Sequence, residues 1–164
     1  MTSRTSHAWV TDSIERTWAL GAALGQVCQP GDAVLLEGEL GAGKTQLVRG
    51  MARGMGLDPS QVTSPTFVLM REYESPGGQA LLVHIDAYRV GSAAELVDAG
   101  YDADLRAAGV TAIEWPSRVD GLVDLDDPRV LRVQIDYAPA DRRRVQLEGD
   151  ASRVEAIRLA FGHE

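Results

Sequence analysis

A three-layer α/β domain, its sheet parallel at the centre and antiparallel at the edge strands, is the architecture this sequence predicts. Three observations predict it. Apolar, β-suited residues Ala33, Val34, Leu35 and Leu36 run into a glycine-rich loop and then into a helical pattern of Leu47, Val48, Met51, Ala52 and Met55, the strand–loop–helix unit of parallel sheets. Two further apolar runs, 80–85 and 110–113, each close on an acid, Asp86 and Glu114. Near the C-terminus Leu131, Val133, Ile135 and Tyr137 alternate with polar residues, as do Val145 and Leu147 beyond the turn at 139–141. That alternation describes an antiparallel hairpin with one solvated face.

The elements follow in order. Residues 6–10 read as a short strand. Asp12 with Glu15 three residues later reads as an N-cap and capping box, opening a helix to about Gln29. Its apolar residues (Ile14, Trp18, Leu20, Ala22, Leu24, Val27) surround much of the circumference, which predicts packing on more than one side. Pro30, Gly31 and Asp32 form a turn before the first central strand. Residues 68–73 read as a strand, 75–78 as a hairpin-type turn, and 95–108 as helical. Pro116 stops the strand that ends at Glu114, and 120–128 is an acidic loop. The hairpin, about 129–149, is expected at the sheet edge, and the tail from Ala151 as a short helix. With 164 residues, 45% of them apolar, residues 1–164 make one domain with its own core.

The loop reads Gly38, Glu39, Leu40, Gly41, Ala42, Gly43, Lys44, Thr45, which fits G-x-x-x-x-G-K-[ST], the phosphate-binding P-loop. Its glycines let backbone N–H groups turn inward around a phosphate, and the helix N-terminus adds partial positive charge. Lys44 is placed to reach β- and γ-phosphates, and the Thr45 hydroxyl to ligate Mg²⁺. Lys44 is the only lysine in the chain. In a composition that otherwise uses Arg, the loop demands a compact ammonium that a planar guanidinium cannot replace.

Ligands of open α/β sheets sit beyond the C-terminal strand ends. There Asp86 and Glu114 form Walker B-like acids, able to hold Mg²⁺ or orient the attacking water. His84 shares a strand face with Asp86 and reads as a satisfied, half-buried histidine rather than a base. Arg89 can reach a phosphate, a partner or only solvent. Ser64, Pro65 and Thr66 lie where GTPases keep a γ-phosphate-sensing switch. Arg142, Arg143 and Arg144 read as a solvated strand end rather than an RNA-binding patch. Cys28, the lone cysteine, excludes an internal disulfide and reads as a small core residue. A net charge of −8 argues against strong nucleic-acid binding by this chain alone. No apolar run reaches membrane-spanning length and residues 1–7 lack a signal-peptide apolar stretch, so a cytoplasmic location is expected.

Taken in series, Gly38 to Thr45, Ser64-Pro65-Thr66-Phe67, His84-x-Asp86-x-Tyr88-Arg89 and Glu114-Trp115-Pro116 resemble the motifs of the TsaE (YjeE) family. These are bacterial ATPases needed to make threonylcarbamoyladenosine in tRNA, and the resemblance spans roughly Asp12 to Pro116. It implies a small P-loop α/β fold, ATP or ADP with Mg²⁺ as ligands, and TsaD and TsaB homologues as partners, with tRNA met only indirectly. Carried over to this chain, it implies that Glu39, Leu40, Gly41, Ala42, Gly43, Lys44, Thr45, Gln46 and Trp115 contact the nucleotide. Thr45, Glu114 and Asp86 serve the metal, and Lys44, Asp86, Glu114 and a switch-like Thr66 the reaction. The region after Asp120 matches only loosely and carries no role. Slow ATP turnover in isolation, stimulated by partners, is the expected behaviour.

Other readings remain at this stage. A P-loop small-molecule kinase needs an acceptor pocket and an Arg-bearing lid, for which only 142–144 offers itself. A GTPase reading guanine through [NT]-K-x-D is disfavoured, because the chain has no Asn and no second Lys. A nucleotide-dependent scaffold differs from the ATPase mainly in whether turnover needs hydrolysis.

Overall fold

The computed structural model describes residues 3–64 and 68–162, and its framework is a seven-stranded mixed sheet. In chain order the strands are β1 (Arg4–Thr11), β2 (Ala33–Glu37), β3 (Met70–Glu74), β4 (Leu81–Asp86), β5 (Val110–Glu114), β6 (Val130–Ala138) and β7 (Arg142–Asp150). The helices are α1 (Ile14–Val27), α2 (Lys44–Gly54), α3 (Ala93–Asp98), α4 (Ala103–Ala108) and α5 (Ala151–Phe161). Across the sheet the order is β1-β7-β6-β2-β5-β4-β3. The run β6-β2-β5-β4 is parallel, whereas β1, β7 and β3 join antiparallel. The predicted fold class is the observed one.

Successive side chains of a strand point to opposite faces, and both faces of the central strands are apolar because helices cover both. Val34, Leu36, Leu82 and Ala112 pack with Leu20 and Leu24 of α1 and Leu47 and Met51 of α2. Leu35, Val83, Ile85 and Ile113 pack on the other side with Leu96, Tyr101, Val119 and Val123. The acid-bearing positions therefore fall on defined faces: His84 and Asp86 alternate with Ile85, and Glu114 with Ile113, placing all three on the α2 side.

α1 and α2 touch backbone to backbone. A Cβ at Gly21 would collide with the Leu47 carbonyl, and one at Gly50 with the Trp18 carbonyl. Because α2 begins at Lys44, this close seam sets where the glycine-rich loop opens. α5 is fastened to the opposite end of β2: the Arg153 guanidinium donates through both terminal nitrogens to Asp32, whose carboxylate is 1% exposed.

Several expectations shift. Ser13, not Asp12, caps α1, its hydroxyl accepting from the Arg16 N–H at 3.2 Å; two adjacent good capping residues compete, and the buried Thr11–Thr17 hydroxyl pair (2.9 Å) fixes the later one. The helix closes at Val27, two residues early. The stretch read as one helix over 95–108 is two, α3 and α4, broken where Gly100 adopts φ 109°. The third strand begins at Met70 rather than Val68. The hairpin lies one strand in from the edge, because β1 pairs with β7. Cys28 packs against the core as expected, and burial, then Asp32, pushes its thiol up to about 12.

Candidate functional site

The site grows from the C-terminal ends of β2, β5 and β4. Gly43, at φ 114°, is the N-cap of α2 and provides no side-chain cap. The first-turn N–H groups of α2 are thus left for a ligand, with the positive end of the helix behind them. A Cβ built on Gly43 meets nothing within 4 Å, so the loop encloses open space on that side. This is a cradle of donors shaped for an anion.

Lys44 follows immediately and is only 5% exposed. Its ammonium donates to the carbonyls of Gly38 and of Glu39, the latter at 3.0 Å, and sits 4.1 Å from the centre of the Trp115 ring. Of its three donors, two are thereby fixed on the loop itself. Burial pulls this ammonium below the ordinary lysine range, while Glu114, Asp86 and Glu37 oppose the shift.

Behind the loop, Thr45 Oγ1 donates to the Glu114 carboxylate, 3.1 Å from Oε1 and 3.2 Å from Oε2. Glu114 is 3% exposed and accepts a second bond, 2.6 Å long, from His84 Nε2. Asp86 stands directly across the ladder from Glu114. Its carboxylate accepts from the Ser64 hydroxyl at 2.8 Å and the Tyr88 N–H at 3.1 Å. Among the described residues no three His, Cys, Asp or Glu side chains converge on a metal cage. A hydroxyl and two carboxylates beside this cradle instead make an all-oxygen, incomplete donor set. That suits a hard cation which keeps water and phosphate among its ligands.

Trp115 holds the left-handed conformation (φ 58°), and its ring packs tilted by 54° against that of Tyr88, centres 5.1 Å apart, with the Arg118 guanidinium 5.6 Å from the Tyr88 ring. Gln46, on the first turn of α2, accepts from Trp18 Nε1 at 2.7 Å. Leu40 is 78% exposed at the loop tip. Thr66 lies outside the described residues, as do Pro65 and Phe67.

The hairpin supplies what sequence reasoning missed. Arg143 is no solvated strand end: it donates to the Ala42 carbonyl (3.1 Å) and lies 4.4 Å over the Tyr137 ring. The Tyr137 hydroxyl donates to the Leu40 carbonyl at 3.0 Å. Together they brace the loop from the side of β6 and β7. Between this brace and the start of α1 opens a cleft of about 320 Å³ lined by Thr11, Ser13, Gly41, Gly43, Gln46 and Arg143. It extends the donor-lined loop into open space beside the start of α1. His84 also departs from expectation: it is fully buried, not half-buried, and bonded to an acid of the site.

With this geometry in hand, comparisons with known proteins are direct. Residues 11–145 match the family model described as threonylcarbamoyl adenosine biosynthesis protein TsaE. The chain is 43% identical over 123 residues to the Streptomyces coelicolor protein named tRNA threonylcarbamoyladenosine biosynthesis protein TsaE, covering 74% of this chain and 80% of that one. It is 34% identical over 149 residues to the Bacillus subtilis protein of the same name, covering 91% and 89%. The crystal structure of Bacillus subtilis YdiB superposes with a TM-score of 0.72 at 27% identity, covering 96% of this chain and 94% of that one. A motif-bearing P-loop fold, a family match over most of its length and these relatives agree: the chain belongs to the TsaE family.

Proposed function

We propose that this chain binds and hydrolyses ATP with Mg²⁺, as the nucleotide-driven component of the machinery that makes threonylcarbamoyladenosine in tRNA, alongside TsaD- and TsaB-type partners. The place in tRNA modification rests on the names its relatives bear. The observation that carries the ATPase reading is local: an uncapped α2 N-terminus, a buried lysine and a threonine hydroxyl bonded to a strand-end acid all face one cradle.

The triphosphate would lie on the loop N–H groups, its β- and γ-oxygens reached by Lys44, with ribose and base in the cleft beside Gln46 and Arg143. Mg²⁺, when bound, neutralises charge on the β- and γ-oxygens. Thr45 and Glu114 would hold it, with Asp86 beside them. Asp86, fixed by Ser64 and Tyr88, is placed to orient the attacking water. Trp115 covers the Lys44 ammonium and keeps water from that side. Thr66 is the proposed switch. Water is the proposed acceptor of the phosphoryl group, and the conformational change is passed to a neighbour.

Asp86→Asn and Glu114→Gln should bind ATP within about tenfold of the parent yet hydrolyse it about 100-fold more slowly. Nucleotide titration and phosphate release decide this; full activity in both variants makes the acids structural. The decisive experiment on the whole reading measures ATPase rate with and without a TsaB–TsaD complex, beside a tRNA mobility shift across a salt series. Stimulation by the complex is expected, and the −8 charge predicts little tRNA bound by this chain alone. Partner-independent turnover at metabolic-enzyme rates, or tight binding of bare tRNA, would overturn it.

A further inference from the structure

Glu114 is one methylene longer than an aspartate, and that extra torsion must be frozen if its carboxylate is to stand at a fixed point behind Thr45. Something has to hold it. His84 is the side chain that reaches it from the sheet: it projects from β4 on the α2 face, with small Ala112 as its register partner on β5, and meets Oε2 at 2.6 Å. Since a carboxylate only accepts, Nε2 is the donor. The ring is 0% exposed, and its other nitrogen, Nδ1, is buried with no hydrogen-bond partner among the described residues. A core histidine kept for structure normally satisfies both nitrogens. Among the described residues the ring's one polar tie is to Glu114.

We propose that His84 is a positioning residue for the Mg²⁺ side of the site, fixing the rotamer of Glu114 so that its remaining lone pairs face Thr45 and the cradle. The inference rests on the Mg²⁺–nucleotide reading above and adds to it a residue outside the phosphate loop. Partners that orient a metal-side carboxylate typically change metal affinity by about 10- to 100-fold when removed. They leave contacts to the phosphates and base alone.

The test titrates Mg²⁺ into protein mixed with a non-hydrolysable ATP analogue, and separately measures analogue affinity in chelator, for the parent, His84→Leu, His84→Asn and His84→Gln. Thermal melting reports folding of each. Only Gln can place an amide N–H near the position of Nε2. The expected result is apparent Mg²⁺ affinity weakened about 10- to 100-fold in the Leu and Asn variants, metal-free affinity unchanged, and recovery in the Gln variant. If Leu fails to fold, Asn against Gln carries the comparison. Unchanged Mg²⁺ affinity in a folded Leu or Asn variant overturns the inference, as does a Gln variant no better than Asn. The nucleotide reading is judged separately: a parent that binds the analogue with no Mg²⁺ dependence, or not at all, overturns both.

Discussion

Lys44→Ala should abolish nucleotide binding at concentrations that saturate the parent, raising Kd by about 100-fold or more. Lys44 is the chain's one lysine, buried against Trp115 and pinned by the carbonyls of Gly38 and Glu39. Its charge is delivered to one place in a water-poor setting, where a charge-assisted hydrogen bond contributes about 1.5–3 kcal/mol. The third donor, the one not held by the loop carbonyls, would make one such bond to a phosphate oxygen, and the upper end of that range corresponds to a loss of about 100-fold. No neighbour can substitute. Arg143 is turned toward Ala42 and Tyr137, and Arg118 toward Tyr88. Lys44→Arg should also fail, because the planar guanidinium cannot occupy the space between two loop carbonyls and an indole face. Titration with a fluorescent ATP analogue measures both variants; affinity near that of the parent would sink the assignment of the loop.

How much of this was legible in the sequence depends on whether the signal was local. The loop from Gly38 to Thr45 is contiguous, and its chemistry follows from eight adjacent residues. Asp86 and Glu114 were legible because an acid ending an apolar strand in an α/β sheet lands at the ligand end. The hairpin was legible from period-two alternation. What escaped was set by register and strand order. The His84–Glu114 bond is a diagonal contact that needs β4 beside β5 with Asp86 opposite Glu114, a pairing no short-range pattern encodes. Arg143 reaches Ala42 across 101 positions, which follows from β6 lying beside β2, not from three adjacent arginines. The broken helix at Gly100 was a failure of another kind. Its left-handed φ of 109° ends α3, and the Leu and Ala around it carry enough helix propensity to hide the break.

The second large effect concerns stability, and it lies at the far end of β2 from the glycine-rich loop. Arg153→Ala should destabilise the protein by about 3–5 kcal/mol, the cost of leaving one partner of a buried ion pair uncompensated. Asp32 is 1% exposed and accepts from both terminal nitrogens of Arg153 and from the Gln29 N–H at 2.7 Å. Remove the guanidinium, and a carboxylate stays buried with a single donor. Cys28 next to it brings no compensating charge, since burial, then Asp32, keeps its thiol neutral. The loss is a large share of the roughly 5–15 kcal/mol that holds a domain of this kind folded. It should release α5 first, because Arg153 sits in that helix's first turn. Replacing Asp32 by Asn in the same chain removes the stranded charge and should return part of the loss. Urea unfolding followed by far-UV circular dichroism gives the magnitude, and a shift below about 1 kcal/mol would mean the pair is solvated rather than buried. Nucleotide affinity should hold in the folded variant: the five residues of β2 put roughly 16 Å between this pair and the loop. Loss of binding in step with loss of stability would instead make Asp32 and Arg153 part of what shapes the site.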